Sequence, residues 1–187
     1  MEQEKLDNYI CETVLRLNST PAYINNKETI FNFIIFFSRF EFSLKRLGCT
    51  TTRENGEVLA FWDKYAQRIQ HIAAEQSQNT IEDTLTQDAV FNMAKEYINS
   101  NKPRILKINQ TSGGLTWEND DSDDLQSNSK RILDLIRRIR NNLFHGEKFL
   151  IPGEMGEDRD IILLKAGMAI MQGYLKHDQD LRSKFFT

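Results

Sequence analysis

The chain has 187 residues, of which 40% are hydrophobic and 27% charged, so it is long and apolar enough to bury the core of one soluble domain. Its 24 basic and 27 acidic residues give a net charge of −3, which excludes a surface coated with positive charge for indiscriminate DNA binding. Only 9 glycines and 3 prolines occur, and this scarcity of turn-forming residues favours helices over a β-sandwich.

Targeting and membrane signals are not visible in the sequence. The start, Met-Glu-Gln-Glu-Lys, lacks the basic and apolar regions of a signal peptide. The most apolar stretch, Ile30–Phe42, is interrupted by polar residues and is too short to span a bilayer. Cys11 and Cys49 suggest neither a disulfide framework nor a metal site, as is typical of a reducing compartment. We therefore expect a cytoplasmic protein without membrane contact.

Apolar residues spaced three and four apart predict helices in the first half of the chain. One helix is expected over residues 3–17, and a longer one from Asn26 to Leu47, with Gly48 as its C-terminal cap. The longer helix is apolar on more than one face, which predicts a central position in a bundle or at a subunit interface. A loop over 48–56 and a third helix from Val58 to Ile72 follow.

The second half of the chain continues the helical pattern. Thr80-Ile-Glu-Asp resembles a capping box and predicts a helix through Ile98. Alternation around Ser-Gly-Gly predicts a small β-hairpin near 104–117. Helices are expected from about Leu125 to Phe144, closed by Gly146, and from about Asp158 past Tyr174. The fold class is therefore all-α: a bundle of five to six helices with at most one small hairpin, forming a single domain over 1–187.

The helix that ends near Phe144 carries three distinct rows of side chains. An apolar row faces the core and consists of Ile132, Ile136, Ile139 and Leu143. A polar row lies opposite and consists of Asp134, Arg138, Asn141 and His145. A flanking row mixes apolar and basic residues and consists of Leu133, Arg137, Arg140 and Phe144. The mixed row suggests a partner surface, most simply a second copy of the chain.

The segment Arg140-Asn-Asn-Leu-Phe-His145-Gly-Glu-Lys148 resembles the signature of the HEPN superfamily, the higher eukaryotes and prokaryotes nucleotide-binding domain. That signature has an arginine, a polar residue after it, and a histidine four to six residues further on. The stretches Ser38–Lys45 and Asp158–Asp160 also resemble one bacterial branch. The resemblance implies a helical ribonuclease that acts without metal or cofactor, as a homodimer whose two motifs face each other across one cleft.

Elementary chemistry agrees with that implication. Arginine offers a permanent bidentate clamp for a phosphate whose charge grows in the transition state, which suits Arg140. Histidine titrates near neutrality, so His145 can act as base or acid, with Asn141 one turn earlier to orient its ring. Arg140, Asn141 and His145 are therefore the expected catalytic residues. Because each motif has one histidine, two-residue acid–base chemistry would use His145 from both subunits.

Other basic residues near the motif are expected to bind the RNA backbone, namely Arg137, Arg138, Lys148 and Lys130. Between Lys130 and Lys148 there are six basic and two acidic residues, whereas Glu118–Asp124 holds five acids and no base. The weak overall acidity is therefore an average over two opposed segments.

Glu41 and Asn142 are further expected cleft residues, and Glu41 resembles a family position. Each candidate also has an explanation that is structural and not functional. His145 would also suit a helix C-terminus, and the arginines would pair with Asp134 or the acidic segment. Glu41 would equally form an ion pair with Arg39 or Lys45.

We expect RNA as substrate and a toxin or defence effector held in check by an antitoxin or other regulatory protein. The alternative is a non-catalytic HEPN module that binds nucleotide, RNA or a protein partner. A helical DNA-binding regulator is a weaker third reading, because no helix-turn-helix spacing is visible.

Overall fold

The fold was analysed on a computed structural model, which describes residues 21–72, 79–108, 114–118, 128–144 and 157–187. Within these ranges there are seven helices: α1 (Pro21–Arg46), α2 (Trp62–His71), α3 (Ile81–Leu85), α4 (Ala89–Ser100), α5 (Asn128–Phe144), α6 (Glu157–His177) and α7 (Gln179–Phe186). Two antiparallel hairpins accompany them, formed by strands β1 (Thr50–Thr52) and β2 (Val58–Ala60), and by β3 (Ile105–Ile108) and β4 (Leu115–Glu118). The all-α class with a small hairpin near 104–117 is confirmed. The predicted helix over 3–17 lies outside the described residues.

Helix α1 begins and ends where local chemistry favours it. Pro21 occupies the first position, where a missing backbone N–H costs nothing. At the other end the Cys49 N–H donates to the Leu44 carbonyl at 3.0 Å, and Gly48 adopts a φ of 80°. This is a Schellman ending, in which glycine takes a left-handed conformation without a Cβ penalty. The predicted cap at Gly48 is therefore confirmed.

The predicted start of a helix at Val58 is wrong. Residues Val58–Ala60 form strand β2, in which Thr50 pairs with Ala60 and Thr52 with Val58. The Phe61 N–H then donates to the Cys49 carbonyl at 2.8 Å and closes the hairpin, so α2 begins only at Trp62.

The predicted helix from Thr80 through Ile98 is two helices. The capping box is present, because the Asp83 N–H donates to Thr80 Oγ1 at 3.1 Å and the Thr80 N–H to Asp83 Oδ2 at 2.9 Å. Asp88 interrupts the run, since its carboxylate accepts the N–H groups of Val90 and Phe91 and thereby caps a new helix. Similarly, Asp178 caps the separate short helix α7 by accepting from the Leu181 N–H at 3.0 Å.

Helix α6 forms the centre of the bundle and packs against α1, α3, α4, α5 and α7. Buried apolar side chains from all seven described helices form one cluster. Tyr174 of α6 packs edge-on against Tyr65 of α2 and Phe91 of α4, with ring centroids 5.7 and 5.5 Å apart. At Gly173 a Cβ atom would lie 2.6 Å from Phe91, so α4 and α6 approach closely because that residue is glycine.

Helix α1 is not enclosed as its composition suggested. It buries Phe33, Phe37 and Phe40, but three large apolar side chains on another face stay exposed: Phe31 (63%), Ile35 (54%) and Phe42 (50%). Their spacing of four and then seven residues places them on one stripe of the helix. The three exposed side chains show that α1 is not buried on every side.

Candidate functional site

The C-terminal half of α5 carries most of the motif residues that the structure describes. Ile132, Ile136 and Ile139 are buried, as expected for the core row, and Leu143 is half-buried against the same core. Because successive residues turn by about 100° on a helix, burying this row directs Arg137, Arg138 and Asn141 away from the core.

Arg140 has its guanidinium group between two aromatic rings. Its Cζ atom lies 5.8 Å from the ring centroid of Phe37 on α1 and 4.6 Å from that of Phe144, one turn further along α5. Both distances allow a cation–π interaction, which is strongest where the cation has lost water. Two ring contacts limit where the guanidinium can lie, and its five N–H donors can bind an anion.

The hydrogen bonding of Arg140 leaves its charge uncompensated within the described chain. Nη1 donates to Oδ1 of Asn141 at 3.1 Å. No carboxylate among the described residues lies within ion-pair distance of the guanidinium. Arg140 therefore combines a restrained orientation with donors and charge available to an anion.

The two asparagines that follow Arg140 differ completely in their surroundings. Asn141 is exposed and accepts the hydrogen bond from Arg140. Asn142 is buried, and its Nδ2 donates to the Arg104 carbonyl at 2.8 Å, where the chain enters β3. The structure thus places Asn141 beside Arg140, and Asn142 on the side of α5 that holds the β3 hairpin.

The remaining basic candidates differ in exposure, in ion pairing and in distance from Arg140. Arg137 is 47% exposed and forms an ion pair of 3.0 Å with Asp134, a surface contact of small energetic value. Arg138 is half-buried on the same part of α5. Lys130 lies ten residues before Arg140, about 15 Å along the helix axis, and pairs with Asp63 at 3.2 Å. Lys130 is therefore not brought together with Arg140.

Glu41 lies on α1 one turn beyond Phe37 and is half-buried. Of the two alternative partners, Arg39 donates instead to the Phe185 carbonyl at 2.8 Å. Within the described ranges no ion pair joins Glu41 to Arg39 or Lys45. His145, Gly146 and Lys148 lie outside the described residues.

The aromatic half of the site could not be identified from the motif. Phe37 is separated from Arg140 by more than a hundred residues, and its spacing marks it only as a core residue of α1, where it is 4% exposed. Phe144 was visible as part of the mixed row, but nothing in the sequence indicated that its ring lies against Arg140.

Other polar clusters lie away from the end of α5. At the junction of α4 and α6, Asp88 accepts from Lys176 at 2.7 Å and lies 3.2 Å from Nε2 of His177. The Lys176 ammonium and the Phe91 N–H hold the pKa of the Asp88 carboxyl well below its usual range.

A separate cleft lies near the start of α5, lined by Glu82, Lys95, Ser129 and Tyr174 among others. There Ser129 Oγ donates to Glu82 Oε1 at 2.5 Å. In the part of the chain described, no group of three or more His, Cys, Asp or Glu side chains is arranged to hold a metal ion.

Comparison with protein-family models, with curated proteins and with solved structures finds no match to this chain. Across the described ranges, no helix has both the length and the apolar character needed to cross a bilayer.

Proposed function

We propose that the protein is an endoribonuclease of the HEPN type, which cleaves RNA without a metal ion at a cleft formed by two copies of the chain. The observation that carries the proposal is the end of α5. There Arg140, at motif spacing from His145, has a guanidinium flanked by two rings and no carboxylate partner among the described residues. A restrained, uncompensated arginine is suited to the charge that develops on a phosphate during transesterification.

In the proposed reaction the ribose 2′-oxygen attacks the adjacent phosphorus. A histidine acting as base removes the 2′-hydroxyl proton, the new P–O2′ bond forms, and the P–O5′ bond breaks. A histidine acting as acid then protonates the departing 5′-oxygen, leaving a 2′,3′-cyclic phosphate. His145 from each of the two subunits supplies these groups, because a single motif contains one histidine.

The neighbouring residues have supporting roles in this proposal. Arg140 stabilises the negative charge on the non-bridging phosphate oxygens. Asn141 accepts from Arg140 through its oxygen, so its amide NH₂ group can donate to a phosphate oxygen or to the His145 ring. Arg137, Arg138 and Lys148 hold the RNA backbone on either side, whereas Lys130 is too far along α5 to contact the same phosphate.

The resemblance also implies that the activity of the protein is regulated in the cell. A cytoplasmic ribonuclease that needs no metal ion would be active whenever RNA is present and would harm its own cell. It would therefore require an antitoxin or other regulatory protein. This requirement makes a toxin or defence effector the expected role.

The direct test incubates total RNA, with and without EDTA, with wild-type protein, Arg140→Ala and His145→Ala. Arg182→Ala is the matched control, because Arg182 is an exposed arginine on α7, outside the motif in the sequence. Wild type and R182A should cleave RNA, and the two motif variants should lose about a hundredfold or more of the rate. Inhibition by EDTA, or full activity of H145A, would contradict the proposed chemistry.

The alternative is a non-catalytic HEPN module that binds nucleotide, RNA or protein. The exposed apolar stripe of Phe31, Ile35 and Phe42 favours a protein-binding role. The same experiment separates the two functions. A module that binds RNA would hold the RNA without cutting it, and a module that binds only protein would neither bind nor cut it.

A further inference from the structure

Phe144 and Phe42 are both exposed and each has a guanidinium near its ring, with Arg46 Cζ 6.0 Å from the Phe42 centroid, but only the arginine at Phe144 also contacts a second, buried ring. Phe144 is 53% exposed, although the Arg140 guanidinium lies 4.6 Å from its ring centroid. The second ring in contact with Arg140, Phe37, is only 4% exposed. The guanidinium is therefore held between one buried ring and one ring with a large part of its surface open to solvent.

We propose that the open surface of Phe144 is a stacking platform for a nucleobase of the RNA strand whose phosphate Arg140 binds. This inference rests on the proposed function and adds a base-binding position to it. Every nucleobase has a π face, so a phenyl ring binds bases with little sequence preference. A base on one face of Phe144 and a guanidinium on the other would place base and phosphate contacts side by side.

The charge around Phe144 favours a nucleic acid over direct contact with a second copy at this ring. Arg140 lies one turn before it without a carboxylate partner among the described residues, whereas Arg137, two turns before it, is paired with Asp134. Two copies whose Phe144 rings touched directly would bring their Arg140 guanidinium groups together with no phosphate between them, which opposes that contact. RNA instead brings a phosphate charge to Arg140, together with bases that can cover the ring.

The contact also explains how a base would be positioned without a deep pocket. Phe144 is in the last described turn of α5, and its helix is fixed to the core by Ile136 and Ile139. Arg140, one turn earlier, restricts the ring from one side. The platform is therefore held in place before RNA binds, which lowers the entropic cost of stacking.

The experiment measures binding of a short single-stranded RNA, labelled with a fluorophore, to the full chain carrying His145→Ala, so that no cleavage occurs. Phe144→Leu and Phe144→Trp are added to this background. Phe186→Leu is the control, because Phe186 is an exposed phenylalanine on α7. We expect F144L to weaken binding about tenfold or more, F144W to retain it, and F186L to leave it unchanged. The fluorescence of F144W should also be quenched by RNA beyond that of the parent.

An RNA with abasic sites separates stacking from phosphate binding. With this ligand F144L and the parent should bind equally, because no base remains to stack.

Equal affinity of F144L and the parent for normal RNA would overturn the base platform, while cleavage by the wild type would leave the proposed ribonuclease activity standing. A loss of self-association in F144L without loss of RNA affinity would also overturn it, by assigning the ring to a subunit contact. If the His145→Ala parent does not bind RNA and the wild type does not cut it, the proposed function itself fails. A thermal melt of each variant checks folding, and the F144W quenching tests the platform even if F144L unfolds.

Discussion

Residues 140 to 142 show how three consecutive side chains on one helix take different roles. Arg140 contacts two rings and donates to Asn141, while Asn142 turns toward the β3 hairpin and donates to the half-buried Arg104 carbonyl. The rotation of about 100° per residue is the reason. Their order in the motif does not by itself distinguish the asparagine near the phosphate from the one that supports the fold.

This difference predicts opposite outcomes for two matched substitutions. Asn142→Ala removes a buried side chain and leaves the half-buried Arg104 carbonyl without its donor, so we expect a loss of about 1 kcal/mol in the free energy of unfolding. Asn141→Ala removes only an exposed side chain and should change that free energy by less than about 0.5 kcal/mol. Urea denaturation measures both. Equal effects of the two substitutions would show that the Asn142–Arg104 hydrogen bond does not stabilise the fold.

Asp88 predicts a specific dependence of stability on pH. Its folded-state pKa is held low by Lys176 first, and then by the Phe91 N–H, whereas the unfolded carboxyl titrates near about 3.9. The stabilisation is therefore complete above the unfolded pKa and is lost as pH falls through and below about 4. Asp88→Asn should lower stability most at pH 6–7, and its difference from wild type should shrink in acid. Lys176→Gln should reproduce part of this effect. A difference that stays constant between pH 7 and pH 3 would exclude the ionic contribution.

Between elements, the packing of α4 on α6 depends on Gly173. An alanine Cβ there would lie 2.6 Å from a carbon of the Phe91 ring, closer than side chains pack without movement. Gly173→Ala would gain about 1 kcal/mol of helix propensity, yet we expect a net destabilisation of about 1–2 kcal/mol from overpacking. In a Phe91→Leu background the penalty should largely disappear. A double-mutant cycle of unfolding free energies measures this coupling, and an additive result would contradict the proposed clash.

Element boundaries were predictable where a single residue type determines them. Gly48 and the Thr80–Asp83 capping box mark ends that follow from local hydrogen bonding alone. Strand β2 was missed because Val58 and Leu59 continue the apolar pattern of α2, and only pairing with β1 distinguishes strand from helix. Asp88 was missed as a helix start, although an aspartate before an apolar run is a recognisable N-cap.

At the scale of the whole molecule, the candidate site depends on a contact that no local pattern contains. Residues 137–142 could be selected from spacing, because one helix determines their relative positions. The ring of Phe37 reaches Arg140 only through the packing of α1 with the rest of the bundle. Likewise, the enclosure of α6 and the exposed stripe on α1 follow from packing between helices, since both sequences are rich in apolar residues.

The composite cleft predicts the oligomeric state of the protein. Sedimentation velocity at micromolar concentration should show a dimer, because the acid and base of the proposed reaction come from different copies of the chain. Arg140→Ala and wild type should sediment alike if Arg140 acts on RNA instead of on the partner subunit. A monomer at all concentrations, without and with RNA, would remove the two-subunit site.

The central position of α6 has a consequence for the growing chain during translation. Phe33, Phe40 and Tyr65 belong to the first elements described, but their burial requires α6, which begins about 90 to 125 residues later, and α1 also packs against α7. Until α6 has left the ribosome, the earlier helices expose a large aromatic surface. A nascent chain shortened before residue 157 would therefore be a substrate for chaperones and proteases and not a partially active protein, even if it contained the complete Arg140–His145 motif.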